Sequence, residues 1–290
     1  MAKRGLSRRQ FLKLALVGSA GTAAFGVGSL AYAYDVEPHW LDVVPLPLVL
    51  PRLHPAFDGY RMAHITDLHV DIGKSARNLR YAVEIINELQ PDAVVITGDF
   101  ITLNPAAAHT PVLVEILSEL RSKDGVFAVL GNHDHWTDAA VVRQALRDCN
   151  VRELNNEVHT LRRGNAALHI AGTDDYWEGL ARLEDVLAVL PEDGVAVLLE
   201  HEPDFADISA ETGRFDLQLS GHSHGGQVVV PFYGPLVLPT YGMKYPLGQY
   251  QVGSMIQYTN RGIGTVLPAV RFNCRPEITL LELHSAATAG

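Results

Sequence analysis

Residues 220–227, Ser-Gly-His-Ser-His-Gly-Gly-Gln, contain two histidines that stand one residue apart. On an extended backbone such side chains leave from one face of the strand, and on a turn they can point at two neighbouring ions. The glycines around His222 and His224 allow the main chain to bend close to whatever the rings hold. A single His-x-His pair is weak evidence, because histidine is more often an ordinary surface or core residue. A metal site therefore requires ligands from elsewhere in the chain.

Four further groups of polar residues supply these ligands, and each follows a short apolar run. Short β-rich runs bounded by Gly or Asp are typical of buried strands. Ligands of α/β sheets gather beyond the carboxyl ends of the strands, so the pattern predicts that the groups meet there. In chain order the groups are Asp67-Leu68-His69, Gly98-Asp99, Gly131-Asn132-His133-Asp134 and His201, and the His222/His224 turn follows a fifth run.

This inventory suits a centre with two metal ions, which needs a shared carboxylate and open positions for water and substrate. The carboxylate or amide groups are Asp67, Asp99 and Asn132, and the imidazoles are His69, His201, His222 and His224. Nitrogen and oxygen ligands without thiolate suit manganese, iron or zinc better than magnesium. Each group also has a structural alternative, since Asp and Asn often form turns at strand ends. His201 is supported only by its place after one apolar run.

The five groups, in this order, resemble the pattern of the calcineurin-like metallophosphoesterase family. That pattern is Asp-x-His, Gly-Asp, Gly-Asn-His-Asp/Glu, a lone His and Gly-His-x-His, and the resemblance covers roughly residues 60–285. The chain is most similar to a bacterial branch that is membrane-associated or exported by the twin-arginine pathway. The block at 221–227 and the tail at 271–278 support that placement. The resemblance implies an α/β (α+β) fold, a four-layer αββα sandwich of two mixed β-sheets flanked by helices.

The resemblance also implies a role for each group. One ion would be held by Asp67, His69, Asp99 and His224, and the other by Asp99, Asn132, His201 and His222, with Asp99 as the bridge. His133 would not bind metal but would protonate the leaving alkoxide or stabilise the phosphoryl group. A metal-bridging hydroxide would then hydrolyse phosphate monoesters or diesters.

One position departs from the family pattern. Thr102 stands where many members carry an acid that orients the catalytic histidine. A hydroxyl can hydrogen-bond a ring N–H but does not stabilise an imidazolium equally well. We therefore expect the departure to affect the strength of His133 as a general acid and not metal binding.

The sequence leaves three functions open. The leading one is a phosphodiesterase or phosphomonoesterase of the cell envelope. The second is a pyrophosphate hydrolase that acts on a nucleotide-sugar lipid of the UDP-2,3-diacylglucosamine type, which apolar loop residues near the site would favour. The third, from a different class, is a non-catalytic metal-binding protein. Arg261 could grip a substrate phosphate or pack as an ordinary arginine, and Tyr241, Tyr245 and Tyr250 could line a groove or fill a core rim.

Residues 1–34 are predicted to be a twin-arginine signal peptide. Ser7 to Lys13 has the twin-arginine form, the next 21 residues are uncharged, and Ala31-Tyr32-Ala33 is an A-x-A cleavage pattern. The alternative is an uncleaved anchor, because 21 uncharged residues could just span a bilayer. We expect export by the twin-arginine machinery to the periplasm, the cell wall or the outer face of the membrane, with membrane association.

Charge and cysteine content restrict the partners. The chain has 33 acidic and 23 basic residues, and without the five basic residues of the signal the formal net charge is −15. Such a surface repels polyanions, so nucleic acid is not expected as a partner, whereas a small or lipid-linked phosphate ester could bind at the metal ions. Cys149 and Cys274 are too few for a disulfide framework. Two buried thiols are expected, and one bridge is the alternative.

The remaining chain divides into an extended, proline-rich lead-in at 35–57 and one domain at 58–285. Helices are predicted where apolar residues recur at helical spacing, and short strands where β-rich runs are bounded by turn residues. The predicted helices are 75–89, 111–121, 137–149 and 180–190, the predicted hairpin joins 158–161 to 166–172, the closing strands are 255–259 and 278–283, and 231–253 is a long loop region.

Overall fold

A computed structural model describes residues 8–9, 13, 26–103 and 105–287, and the described chain is built on two six-stranded sheets. In chain order the strands are β1 (Asp42–Leu50), β2 (Tyr60–Ile65), β3 (Ala93–Thr97), β4 (Val126–Val129), β5 (Arg152–Glu153), β6 (Glu157–Arg163), β7 (Ala166–Gly172), β8 (Val195–Leu199), β9 (Leu217–Ser220), β10 (Val229–Val230), β11 (Gly234–Pro235), β12 (Gly248–Val252), β13 (Met255–Thr259) and β14 (Glu277–Ser285). The first sheet has the order β1-β14-β2-β3-β4-β5 and the second β12-β13-β9-β8-β7-β6. β10 and β11 pair separately as a short hairpin.

Both sheets are mixed. In the first, β14 is antiparallel to β2, whereas β2, β3, β4 and β5 run parallel. In the second, β6–β7 and β12–β13 are antiparallel pairs around the parallel strands β7, β8, β9 and β13. The parallel strands at the centre of each sheet bring their carboxyl ends to one edge, where ligand sites of such sheets form.

Helices cover the outer face of each sheet. They are α1 (Ser75–Leu89), α2 (Thr110–Leu117), α3 (Asn132–Thr137), α4 (Ala139–Asp148), α5 (Leu183–Val189) and α6 (Ala206–Glu211). Shorter 3-10 turns span Glu37–His39, Pro55–Phe57, Ala106–Ala108, Pro203–Phe205 and His224–Gly226, and a π turn spans Tyr32–Val36. α1, α2 and α4 share a core with the first sheet, and α5 and α6 share one with the second. The four-layer arrangement predicted from the sequence is therefore confirmed.

A third core lies between the two sheets, and the central strands are consequently buried on both faces. In β3, Val94 and Ile96 pack towards the helices, while Ala93 and Val95 pack towards the second sheet. A strand buried on both faces reads as a continuous apolar run, which is the pattern that precedes each polar group in this sequence. Polar ligands can therefore appear only where the strands end.

Most predicted elements are present. The helix at 75–89 has the predicted bounds, and the hairpin and both closing strands are confirmed. The helices predicted at 111–121, 137–149 and 180–190 are shorter, at Thr110–Leu117, Ala139–Asp148 and Leu183–Val189. α4 begins after Asp138, whose carboxylate accepts the N–H groups of Ala140 and Val141. The region predicted as a loop at 231–253 contains β11 and β12.

The proline-rich lead-in contributes an edge strand to the first sheet. Asp42–Leu50 is extended, as the prolines indicate, and pairs in parallel with Glu277–Ser285 along all nine positions. Pro45 and Pro47 lack the N–H that a central strand would need, and an edge strand tolerates them.

Most of the predicted signal, including residues 1–7, 10–12 and 14–25, lies outside the described residues. Residues 26–31 are helical, Ala33 is buried, and the Tyr32 ring packs edge-on against Phe272 at a centroid distance of 6.4 Å. Among the helices described here, none is both long and apolar enough to cross a membrane. Cys149 and Cys274 are free, buried thiols.

Truncation of the core between the sheets should be costly. Leu281 of β14 is fully buried there. Leu281→Ala should lower the free energy of unfolding by about 2–5 kcal/mol, because it removes apolar contacts and leaves a cavity. Urea denaturation would measure this, with the half-exposed Leu180→Ala as the matched control. Equal losses in the two variants would contradict the assigned core.

Candidate metal centre

The predicted ligands lie at the joined carboxyl edge of the two sheets. Asp67 and His69 follow β2, Asp99 follows β3, and Asn132 follows β4 at the start of α3. His201 follows β8, and His222 and His224 follow β9. All seven side chains are buried. Six of them form two close groups, and Asn132 lines the same cavity as Asp99, His222 and His224.

Asp67, His69 and His224 form one ligand group. The Nε2 atoms of His69 and His224 are 3.1 Å apart, and His224 Nε2 lies 3.4 Å from Asp67 Oδ1. One donor atom from each of the three residues lies within 4.8 Å of the others. This spacing can surround one cation.

Asp99, His201 and His222 form the second group. His201 Nε2 lies 3.3 Å from Asp99 Oδ2 and 3.3 Å from His222 Nδ1. The same Asp99 Oδ2 lies 3.6 Å from His69 Nε2 of the first group. Asp99 therefore stands between the two groups, in the position that a bridging carboxylate requires.

Hydrogen bonds on the far side of two rings fix their orientation and leave the opposite nitrogens facing inward. His201 Nδ1 donates to the Thr97 carbonyl at 2.6 Å, and His222 Nε2 donates to the Thr240 carbonyl at 2.8 Å. A carbonyl only accepts, so both rings carry a hydrogen on that outer nitrogen, and His201 Nε2 and His222 Nδ1 face inward as candidate ligand atoms. Asn132 Oδ1 is also buried and has no hydrogen-bond partner among the described residues. These inward-facing acceptors fit a divalent cation.

The pKa shifts in the cluster have two causes, which are burial and the close approach of Asp99 to His201. Burial lowers the pKa of His69 and of His222 to about 3, so both rings are neutral near pH 7. Burial opposes a charge on His201, but the adjacent Asp99 carboxylate prevails and raises the pKa of His201. Burial likewise acts to raise the pKa of Asp99, yet His201 and the neighbouring rings hold it well below its ordinary value. Bound cations would add positive charge beside the Asp99 carboxylate.

A row of buried acids stands behind His201, and the sequence analysis missed it. Glu200 and Glu202 flank His201, and Asp175 lies beside Glu202. Burial raises the pKa of Glu200 to about 7 and that of Asp175 to about 8. The Glu-His-Glu order was visible in the sequence, but the proximity of Asp175 depends on the fold.

The backbone of the site is held in unusual conformations. Five of the seven ligand residues have positive φ angles: Asp67 (51°), His69 (40°), Asp99 (56°), His222 (69°) and His224 (51°). Such conformations are costly for residues with a Cβ and concentrate at functional sites. Gly221 also permits a close approach, because a Cβ there would overlap the Thr66 hydroxyl and the Asp67 carboxylate. Glycine is therefore required beside His222 by sterics.

His133, the predicted catalytic residue, lies half-buried at the edge of the ligand cluster. Its ring packs edge-on against His69 at 5.2 Å and against Trp136 at 4.8 Å, measured between centroids. Its backbone N–H donates to Asp99 Oδ1 at 3.0 Å. Asp134 supports the neighbouring turn, because its carboxylate accepts the N–H groups of Phe100, Ile101 and Gly131.

Other polar candidates lie elsewhere. Arg261 pairs with Glu277 at 2.5 Å and with Asp42 at 3.1 Å, which supports the packing interpretation. Three other histidines have partners away from the ligand groups: His64 contacts Thr97, His135 contacts Asp174, and His169 contacts Thr160 and the Asp193 carbonyl. Tyr245 is buried and donates to Asp207.

A cavity of about 450 Å³ opens over the ligand cluster. Asp99, Asn132, His222 and His224 lie at its polar end, and His133 borders it. Its walls are largely apolar and include Trp136, Trp177, Val228, Leu236, Val237, Val266, Leu267 and Val270. These wall residues were missed because loop residues that meet only in the fold have no shared spacing in the sequence.

Residues 60–226 match the family described as Calcineurin-like phosphoesterase. The chain belongs to this family. It is 34% identical, over 97% of its length and 98% of the relative, to the Uncharacterized metallophosphoesterase YkuE of Bacillus subtilis (strain 168). It is 28% identical, over 96% of its length and 99% of the relative, to the Phosphodiesterase YaeI of Escherichia coli (strain K12). It is 26% identical, over 94% and 98%, to the UDP-2,3-diacylglucosamine pyrophosphatase LpxG of Chlamydia trachomatis serovar D.

Family membership confirms the resemblance predicted from the five motifs and makes the chain a metal-dependent phosphoric ester hydrolase.

Thr102 does not contact His133, the residue whose strength as a general acid we expected it to affect. Its hydroxyl lies 2.5 Å from Nδ1 of His69, so it contacts a metal-ligand candidate rather than His133. The reason is that residues 67–70 run beside 98–100, where His69 N–H donates to the Asp99 carbonyl and Val70 N–H to the Phe100 carbonyl.

The contact between Thr102 and His69 predicts an effect on metal affinity. Thr102→Val removes the hydroxyl that orients the His69 ring. Loss of such a partner typically weakens metal binding about 10- to 100-fold, and we expect a loss in this range here. Competition with a chelator would measure the affinity. Thr212→Val, whose hydroxyl bonds the Ser209 carbonyl, is the control. Unchanged affinity in Thr102→Val would show that the contact does not position His69.

Proposed function

We propose that this metallophosphoesterase hydrolyses phosphodiesters and phosphomonoesters with two divalent cations. The observation that carries the proposal is the position of Asp99 Oδ2, which is 3.3 Å from His201 Nε2 and 3.6 Å from His69 Nε2. Asp67, His69, Asp99 and His224 would hold one cation, and Asp99, Asn132, His201 and His222 the other. The mixed nitrogen and oxygen donors suit manganese, zinc or iron.

When bound, the cations would supply Lewis acidity that lowers the pKa of a water molecule and offsets the charge of the phosphoryl oxygens. The protein residues orient the ligands, deliver the proton and exclude water. The carbonyls of Thr97 and Thr240 hold the rings of His201 and His222 so that the opposite nitrogens face inward. The His133 ring borders the cavity next to the ligand cluster, where its N–H can deliver a proton to the departing alkoxide. The apolar walls hold the organic part of the ester and exclude water.

A pyrophosphate hydrolase for a nucleotide-sugar lipid is the second candidate function. The apolar walls of the cavity favour it, because an acyl chain could lie against Val237, Val266 and Leu267 while the phosphates reach the polar end. The name of the chlamydial relative, a UDP-2,3-diacylglucosamine pyrophosphatase, supports the same substrate class. The non-catalytic alternative is set aside, because the chain is a phosphoester hydrolase by family.

We place this activity in the cell envelope. The support is the twin-arginine sequence at 7–13 and the Ala31-Tyr32-Ala33 cleavage pattern, which predict export by the twin-arginine machinery. That pathway carries folded proteins, so cations could be loaded before export. The acidic mature chain argues against a nucleic-acid substrate.

Asp99→Asn tests the bridging role. Protein stripped of metal and reloaded with manganese, zinc or iron should hydrolyse bis-p-nitrophenyl phosphate and p-nitrophenyl phosphate. Asp99→Asn should reduce activity to background and lower the bound metal, because a neutral amide cannot serve as the shared anionic ligand. Asp185→Asn, an exposed acid on α5, is the control. Full activity of Asp99→Asn would refute the two-cation proposal.

His133→Ala tests proton delivery separately from metal binding. The variant should keep its metal content and lose about 10²- to 10⁴-fold in kcat, the usual contribution of general acid catalysis. The loss should be larger for a phenyl ester than for a p-nitrophenyl ester, because a poorer leaving group needs the proton more. His109→Ala is the control outside the cavity. An equal loss with both esters would mean that His133 does not act as a general acid.

A further inference from the structure

The hairpin β10–β11 carries two exposed aromatic side chains at its tip. Phe232 is fully exposed and Tyr233 is 77% exposed. Phe232 also has a φ angle of 67°, in a region that is unfavourable for a bulky residue. The exposed aromatic ring and the strained backbone each raise the free energy of the folded state. Such an outlier indicates a function for the exposed position.

The surface around the hairpin is apolar and continuous with the cavity of the metal centre. Leu236 and Val237 follow β11, are exposed, and line the cavity. Leu267, which is 67% exposed, lines the same cavity from a different loop. An exposed apolar patch of this kind marks an interaction site rather than ordinary surface.

Charge is segregated along the chain in the same region. From Leu217 to Pro276 there is no Asp or Glu in 60 residues, so all 33 acidic residues lie in the other 230. An even distribution would place about seven acidic residues in this segment. The segment contains four basic residues, Lys244, Arg261, Arg271 and Arg275. The part of the chain that bears the apolar surface therefore lacks the negative charge that would be repelled by lipid phosphates.

The uncharged N-terminal stretch joins the fold beside this hairpin. Tyr32 packs against Phe272, and the Arg271 N–H donates to the Ala33 carbonyl at 3.0 Å. The Phe272 carbonyl in turn accepts the N–H of Val229 in β10 at 2.9 Å. Tyr32 and Pro231 line one groove at the base of the hairpin. The segment with the composition of an export signal or anchor thus ends on the same side as the exposed aromatic residues.

We propose that the hairpin tip, with Leu236, Val237 and Leu267, docks the enzyme on a lipid bilayer so that the mouth of the cavity faces the membrane. Aromatic side chains favour the boundary between headgroups and acyl chains, and the segment that bears this apolar surface has no acidic residue of its own to repel lipid phosphates. Building on the proposed function, this orientation lets a lipid-linked phosphate ester reach the metal centre without its apolar part crossing water. The docking itself does not depend on catalysis.

A fluorescent label at the hairpin tests the docking in the full chain. Cys149 and Cys274 are buried, so a cysteine introduced by Tyr233→Cys offers the reactive thiol for an environment-sensitive dye. On addition of vesicles of phosphatidylethanolamine and phosphatidylglycerol, its emission should shift to the blue and be quenched by nitroxide-bearing lipids. The same dye at Val189→Cys, an exposed position on α5 of the second sheet, should show neither change. This comparison separates docking of the hairpin from tethering by the N-terminal segment.

Phe232→Ser, introduced into the Tyr233→Cys chain, should abolish the blue shift and the quenching, whereas Val189→Ser should leave both intact. Thermal unfolding midpoints would confirm that each variant is folded. An unshifted label on vesicle-bound protein overturns the proposal. So does a blue shift that appears without lipid and grows with protein concentration, since a second copy would then cover the surface. Hydrolysis of bis-p-nitrophenyl phosphate by the unmodified chain tests the proposed function independently.

Discussion

The structure depends on one electrostatic constraint, which is that buried carboxylates and imidazole nitrogens face each other across about 3 Å. His201 Nε2 and His222 Nδ1 are 3.3 Å apart, and Asp99 approaches both ligand groups. Such an arrangement is unfavourable in a low-dielectric interior unless positive charge lies between the groups. The fully buried Arg271 supplies one nearby cation, but its guanidinium is engaged with the carbonyls of the 261–264 loop and of Cys274. Cations bound between the groups would relieve this constraint.

The rest of the fold holds these groups together against their repulsion. The two sheets present parallel strand ends at one edge, and the core between them keeps that edge closed. Close backbone approaches then complete the site. The N–H groups of Ile263 and Gly264 donate to the carbonyls of Thr66 and Asp67. The Arg271 guanidinium donates to the Gly264 carbonyl of the same loop. The strained φ angles of the ligand residues persist because this packing overdetermines them.

The site is polar on one side and apolar on the other, which suits a substrate with a phosphate group and an apolar group. His133 and the ligand residues face the phosphate end of the cavity, and Trp136, Trp177 and the 236–237 and 266–267 segments form the apolar end. The acid-free stretch from 217 to 276 contains both the His222/His224 turn and this apolar wall. An anionic group can therefore approach the centre without passing a carboxylate on that stretch.

The sequence by itself determined the types of the candidate ligands and the strands that carry them, because apolar runs that end in Asp, Asn or His have a local signature. The layer arrangement followed from the family resemblance of the same motifs. The sequence also predicted the helix at 75–89, whose apolar residues recur at helical spacing. Only the tertiary structure decided which partners meet across long separations. Thr102 contacts His69 and not His133, Asp175 joins Glu202, and Arg261 pairs with Glu277 and Asp42. The cavity wall and the apolar hairpin surface also arise from loops that have no common spacing. Contacts of this kind depend on strand order and loop approach in space, and a linear pattern contains no information about either.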